Sequence, residues 1–110
     1  MEILKQFRNY NIFAKPDGSI WKKNKKGKYV KKKETLRTGP GYYFHHIKWD
    51  TGFLNVYSHQ IVAECFLGLC PNGYEVDHIN SNKLDNRVVN LQYLTKADNV
   101  RKGALNRVKK

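Results

Sequence analysis

Cysteine, acidic residues and long apolar runs are scarce in this 110-residue chain, and each scarcity excludes a class of protein. Two cysteines, Cys65 and Cys70, are too few for a disulfide framework, so we expect both thiols to lie reduced in the core. No apolar run approaches the roughly 20 residues that cross a bilayer. The first ten residues also lack the apolar core of a secretory signal, and together these features predict an intracellular protein that does not enter a membrane.

The shortage of acidic residues leaves a large positive charge. Twenty-one Lys and Arg stand against nine Asp and Glu, which gives a formal net charge of +12. Such an excess indicates a polyanionic partner, and nucleic acid is the commonest one inside a cell. An anionic membrane surface is the alternative, but it favours a basic amphipathic helix, which the densest basic stretch does not resemble.

That basic stretch lies between residues 22 and 37. Lysines in such density on a cationic chain favour contact with phosphates, and the alternative is a solvated loop. The lysines that we predict to bind DNA are Lys22, Lys23, Lys25, Lys26, Lys28, Lys31, Lys32 and Lys33.

The first 56 residues have the pattern of strands and turns. Residues 17–19, Asp-Gly-Ser, form a turn signal before a short strand, and residues 50–52, Asp-Thr-Gly, predict the turn of a hairpin. In its first arm the residues from Tyr43 to Trp49 alternate, so that only one of His45 and His46 can be buried. A helix should follow, with Ser58 as its N-cap residue.

The last third of the chain predicts a compact ββα unit. Tyr74–Ile79 and Leu91–Thr95 read as strands, and the polar residues 80–90 between them form a loop. Thr95 should open a helix from Lys96 to about Asn106. We therefore predict an α+β fold with a β-rich basic DNA-binding segment at residues 1–56, followed by a helix and the ββα unit at residues 57–110.

Polar residues of this unit suggest a metal site. Asp77 and His78 end the first strand and point to opposite sides of it, and Asn99 lies in the first turn of the helix. Carboxylate and amide oxygens are hard ligands that suit Mg²⁺ or Mn²⁺. Asn90 can bond backbone groups across the loop and hold it rigid. The remaining loop asparagines are interpreted as turn residues that tolerate left-handed conformations: Asn80, Asn82 and Asn86.

At these residues the sequence resembles the HNH endonuclease family, in the form common among phage and intron-borne homing enzymes. That form shows an Asp-His pair, an Asn-Asn-Arg-x-x-Asn-Leu run and an Asn in the next helix. The matching residues here are Asp77-His78, Asp85-Asn86-Arg87, Asn90-Leu91 and Asn99. The likeness covers residues 57–100. The third residue of the motif, which the name HNH gives as His, is Asn99 here, as in many homing members.

The resemblance implies a role for each residue. Asp77 and Asn99 would hold one divalent ion, His78 would be the general base, and Asn90 would fix the loop that aims the His78 imidazole. Cleavage would leave a 5′-phosphate and a 3′-hydroxyl. Relatives with structural zinc carry two Cys pairs around the motif, so no structural zinc is expected here.

Double-stranded DNA is the expected partner, in the cytoplasm of a bacterial host and with the protein encoded by a phage. Further DNA contacts are predicted for Arg87, Arg101 and Lys102, and His59 either contacts a phosphate or bonds its own helical turn. Two alternatives stay open: a nuclease of phage DNA packaging, and a non-catalytic DNA-binding protein on the same scaffold. The sequence does not decide between a monomer and a dimer.

Overall fold

The structure, a computed structural model, describes residues 3–49 and 51–108. Its N-terminal part is an antiparallel sheet of four short strands in chain order. The last two strands form a hairpin that carries most of the lysine-rich stretch. The strands are β1 (Lys5–Gln6), β2 (Phe13–Ala14), β3 (Ile20–Lys23) and β4 (Tyr29–Lys31).

A second antiparallel sheet contains β5 (Thr35–Arg37), β6 (Tyr42–Trp49) and β7 (Gly52–Tyr57). β6 and β7 form the predicted hairpin, with Trp49 opposite Gly52, and the turn residue Asp50 lies outside the described residues. The predicted alternation is confirmed, because His45 is buried and His46 is exposed.

The helix α1 (Ser58–Leu67) follows β7 directly. The prediction that Ser58 is the N-cap residue is wrong, since Tyr57 holds that position and Ser58 is the first helical residue. The Gln60 side chain accepts a hydrogen bond from the Tyr57 backbone N–H at 3.0 Å, and this bond closes the helix start in place of a serine cap. The buried Ser58 hydroxyl instead bonds Nε2 of His45 at 2.8 Å.

The ββα unit has the predicted bounds to within two residues. β8 (Tyr74–His78) pairs with β9 (Leu91–Thr95), and α2 runs over Lys96–Val108, with a short 3₁₀ turn at Val88–Asn90 before β9. The Thr95 hydroxyl accepts a hydrogen bond from the Asp98 N–H at 3.1 Å, as a capping residue does. The two helices and the antiparallel sheets confirm the α+β class.

One hydrophobic core joins the parts of the fold. It receives side chains from the strands before residue 57, from the segment between β1 and β2, from α1 and from the start of β9. Its buried members are Phe7, Ile12, Ala14, Ile20, Ile47, Val56, Ile61, Val62, Ala63 and Leu91. The division of the chain at residues 56 and 57 therefore crosses a shared core, and separate roles for the two segments stay a prediction.

The cysteines lie beside this core rather than within it. Cys65 is half-buried, and burial raises the pKa of its thiol to about 11. Cys70 is exposed, so the expectation of two core cysteines is wrong at this position, because α1 has already ended at Leu67. In the described parts of the chain, neither helix is long and apolar enough to cross a membrane.

Candidate active site

Asp77 forms the acidic centre of the site. It lies on β8, directly opposite Gln92 of β9, and the residue is 6% exposed. Its Oδ2 accepts hydrogen bonds from the Gln92 amide at 2.9 Å and from the Lys102 ammonium at 2.7 Å. A buried carboxylate is costly unless it is paired, and these two donors from β9 and α2 supply the pairing.

The Lys102 ammonium also contacts two backbone carbonyls. It donates to the oxygen of His78 at 2.7 Å and to that of Ile79 at 3.1 Å. Three oxygens of Asp77, His78 and Ile79 thus surround one positive charge. This oxygen-rich setting is the donor chemistry that a hard divalent cation requires, so the residues present fit such an ion.

Asn99 approaches the same region from the first turn of α2. Its Nδ2 donates to Oε1 of Glu75 at 2.5 Å. Asn99, Asp77 and His78 line one cleft of about 230 Å³. Within residues 3–49 and 51–108, no group of three or more His, Cys, Asp and Glu side chains could hold a metal, so a cation here would need oxygens from water or substrate as well.

The His78 imidazole is held on three sides. Its Nε2 lies 2.8 Å from Oδ1 of Asn86. The Tyr42 ring stacks over it at 6.0 Å between centroids, and the His59 ring meets it edge-on at 5.1 Å. Because an amide oxygen can only accept, Nε2 is the nitrogen that carries a proton in this bond, which leaves Nδ1 as the nitrogen able to take up a further proton.

Asn90 ties the loop between β8 and β9 together. Its Oδ1 accepts from the Asn80 N–H at 3.0 Å, and its Nδ2 donates to the Asp85 carbonyl at 2.9 Å. These are backbone bonds across the loop, of the kind that the sequence predicted. Its part in catalysis stays a prediction.

For the other loop asparagines the prediction is right in part: Asn80 and Asn82 are turn residues, but the expected left-handed conformation is wrong for all three. None of them has a positive φ, and Ser81 is the loop residue that adopts one, at 64°. Asn80 and Asn82 instead accept backbone N–H groups two residues ahead. Asn86 is 5% exposed and holds His78, a role that sequence reasoning missed although the residue lies inside the family-like run.

A turn of the N-terminal sheet supports this loop from outside. Gly18, at φ +90°, lies so close that a Cβ there would be 2.7 Å from the backbone carbonyl carbon and oxygen of Asn86. The Val88 N–H donates to the Pro16 carbonyl at 2.9 Å. The turn at residues 16–18 thus fixes the backbone on both sides of Arg87, and only glycine fits at its tip.

His59 has a different setting from the one expected. It is 7% exposed, and burial together with the neighbouring His78 lowers its pKa to about 3, so the ring is neutral at neutral pH. Its buried Nδ1 has no hydrogen-bond partner among the described residues, so the alternative of a bond to its own turn does not hold for that nitrogen. Contact with a phosphate stays a prediction.

The basic residues that are predicted to bind DNA have varied settings. Most lysines of the β3–β4 hairpin and the turn within it are exposed, whereas Lys32 is half-buried and burial lowers its pKa. Arg87 makes two hydrogen bonds of 2.8 Å to the Asp85 carboxylate, and Arg101 lies 3.5 Å from Asp98. The predicted DNA contacts of these residues and of Lys102 stay predictions.

Comparison with known proteins bears on the same segment. Residues 56–101 match the family model described as HNH endonuclease. The chain is 38% identical over 76 residues to YosQ, a SPbeta prophage-derived protein of Bacillus subtilis (strain 168) named as an HNH homing endonuclease. That match covers 66% of this chain and 42% of YosQ, so the chain spans less than half the length of this relative.

The fold agrees with a solved structure as well. The HNH homing endonuclease I-HmuI, in a structure of DNA binding and cleavage, superposes with a TM-score of 0.79 at 23% identity. The superposition covers 98% of this chain and 61% of I-HmuI, and at that identity it shows a shared fold. Residues 56–101 therefore match the HNH endonuclease family in motif and in sequence, and the chain as a whole has the fold of I-HmuI.

Proposed function

We propose that this protein is a metal-dependent DNA endonuclease of the homing type, which hydrolyses phosphodiester bonds to a 5′-phosphate and a 3′-hydroxyl. The observation that carries the proposal is the His78 imidazole, held by Asn86 in one tautomer beside Asp77 and Asn99 in one cleft. A general base and a hard cation site at one phosphate are the two parts that such hydrolysis needs.

His78 is the base. Its Nε2 proton is bonded to Asn86, so Nδ1 is the nitrogen that takes the proton from an attacking water. Tyr42 and His59 pack against the ring, so its direction changes little as the proton is transferred. Asn90 contributes by holding the loop that carries Asn86.

Asp77 and Asn99 would hold the cation, which we take to be one Mg²⁺ or Mn²⁺ per site. Proteins of this family generally use a divalent metal ion. Bound there, the ion would supply Lewis-acid stabilisation of negative charge at the scissile phosphate and the leaving oxygen. Lys102 pairs with Oδ2 of Asp77 in the structure, so it would share that carboxylate with the ion or give it up to the ion.

Double-stranded DNA would be held chiefly by the β-rich segment of residues 1–56. Its β3–β4 hairpin, together with the turn at residues 24–28, exposes a dense set of lysines, and phosphate contacts of this kind supply affinity rather than sequence specificity. Arg87, Arg101 and Lys102 lie on the unit that carries Asp77 and His78, where cations can reach the backbone near the cleavage point.

The names of YosQ and I-HmuI support a homing enzyme of a phage or another mobile element. We infer that it acts in the cytoplasm of a bacterial host, where the prophage origin of YosQ would place its DNA target.

A plasmid assay tests the proposal. Supercoiled plasmid incubated with the purified chain and Mg²⁺ or Mn²⁺ should become open-circular or linear, and EDTA should prevent the change. The Asp77→Ala variant is the matched control, because it keeps the basic surface and loses the acidic centre. Binding of DNA without any cleavage under all metal conditions would instead identify a non-catalytic DNA-binding protein.

A further inference from the structure

Glu75 makes a contact that the proposed chemistry does not use. It lies on β8 two residues before Asp77, so both acidic side chains are on the face of the strand that meets α2. Its Oε1 accepts the hydrogen bond from Nδ2 of Asn99 at 2.5 Å. This bond joins the strand to the helix beside the cleft.

The chemistry of this bond fixes the orientation of the Asn99 side chain. An ionised carboxylate can only accept hydrogen bonds, so the group that faces Glu75 has to be the NH₂ of the amide. The amide is planar, and its oxygen is therefore turned away from Glu75. Only that oxygen can bind a hard cation, since the NH₂ group is a donor without a free lone pair.

We propose that Glu75 is a positioning residue, which holds the Asn99 amide so that its oxygen serves as the second protein ligand of the divalent ion. The inference rests on the proposed function, which makes Asn99 a ligand. Without an acceptor at residue 75, the amide can rotate by half a turn and present its NH₂ to the cation instead. Groups that orient ligands in this way commonly determine metal affinity.

The affinity of the full chain for Mn²⁺, measured by the electron paramagnetic resonance signal of the free ion, tests this role. Glu75→Gln removes the charge but keeps an acceptor oxygen, whereas Glu75→Ala removes both. We expect Glu75→Ala to bind Mn²⁺ about 10–100-fold more weakly than Glu75→Gln, as is typical when the partner of a metal ligand is removed. The comparison of two uncharged variants separates the hydrogen bond from the charge.

The decisive control is the same comparison of Glu75→Ala with Glu75→Gln, made in chains that also carry Asn99→Asp. A carboxylate presents an oxygen in either orientation, so at residue 99 it needs no positioning. The difference between Glu75→Ala and Glu75→Gln should therefore nearly vanish there. An equal difference in both backgrounds would mean that residue 75 binds the metal itself, and would overturn the inference.

The other outcomes are also distinct. If the wild type and Glu75→Ala bind Mn²⁺ equally well, the positioning role is wrong and the proposed function stands. If the wild type binds no Mn²⁺, both fail. Should Glu75→Ala not fold, nuclear magnetic resonance of the wild type still decides: the Asn99 NH₂ protons, identified by their loss in Asn99→Asp, should show the downfield shift of a carboxylate-bound donor. Signals at the positions of a free amide would overturn the inference.

Discussion

Asn86→Ala is the substitution that tests the orientation of the proposed general base, His78, without removing the base. The Asn86 side chain is buried and its recorded hydrogen bond goes to Nε2 of His78. The variant leaves the imidazole, the proposed metal ligands Asp77 and Asn99, and the lysines of the β3–β4 hairpin in place. It removes only the acceptor that selects the tautomer with its lone pair on Nδ1.

Two magnitudes follow from that contact. The imidazole N–H, 2.8 Å from its acceptor in the wild type, becomes a buried donor without a partner, which costs about 1–3 kcal/mol of unfolding free energy. Each kcal/mol lowers the melting temperature of a domain near this size by about 4–8 °C. Misdirection of a catalytic group by about 1 Å can cost roughly 100-fold in rate, so a loss of that order is expected for cleavage.

The assay is single-turnover plasmid cleavage at a temperature well below the melting point of every variant. Asn86→Ala should strongly lower the cleavage rate of the wild type. In a chain that already carries His78→Ala it should lower the rate hardly at all, because no imidazole is left to be oriented. Asn86→Asp, which keeps an acceptor, should retain activity and move the acidic limb of the pH–rate profile to higher pH, since a carboxylate favours the charged imidazolium. An equal loss from Asn86→Ala with and without His78 would refute the reasoning.

Three further outcomes are expected from other parts of the molecule. Gly18→Ala should lower both the melting temperature and the cleavage rate, because its Cβ would displace the Asn86 backbone, whereas Gly27→Ala, with open space around it, should affect the rate little. Replacing the first four lysines of the β3–β4 hairpin and its turn with alanine (Lys22, Lys23, Lys25 and Lys26) should flatten the salt dependence of DNA binding by up to about 0.9 log units per lost phosphate contact. An unchanged slope would mean that the hairpin is solvated and makes no phosphate contact. EDTA should abolish cleavage and leave the melting temperature in calorimetry nearly unchanged, because Lys102 already pairs with Asp77; a large loss of stability would indicate a structural metal.

The ββα unit was predictable because its local signals agree. Alternation marks both strands, Thr95 caps the second helix as its sequence indicates, and the polar loop between the strands has no competing pattern. The placement of Asp77 and Asn99 at one cleft also follows from positions that a short hairpin and its packed helix bring together. Each of these inferences depends on residues close in sequence.

Apart from the bond between Asn86 and His78, which are eight residues apart, the contacts that sequence reasoning missed depend on distant segments. Tyr42 reaches His78 from another sheet, and the turn at Gly18 touches the Asn86 backbone across more than half of the chain. The periodicity of the sequence does not predict such contacts. The prediction that Ser58 is an N-cap residue was wrong for a similar reason, because its hydroxyl bonds His45 on β6 and not the helix itself.

The cleavage rate of His78→Ala as a function of pH tests the account most directly. General-base loss typically costs about 10²–10⁴ in rate, so at neutral pH this variant should cut far more slowly than the wild type while it still binds DNA and Mn²⁺. Raising the pH should restore part of its rate, because hydroxide can replace the missing base, and it should not restore Asp77→Ala. Cleavage by His78→Ala at the wild-type rate at neutral pH would contradict the mechanism.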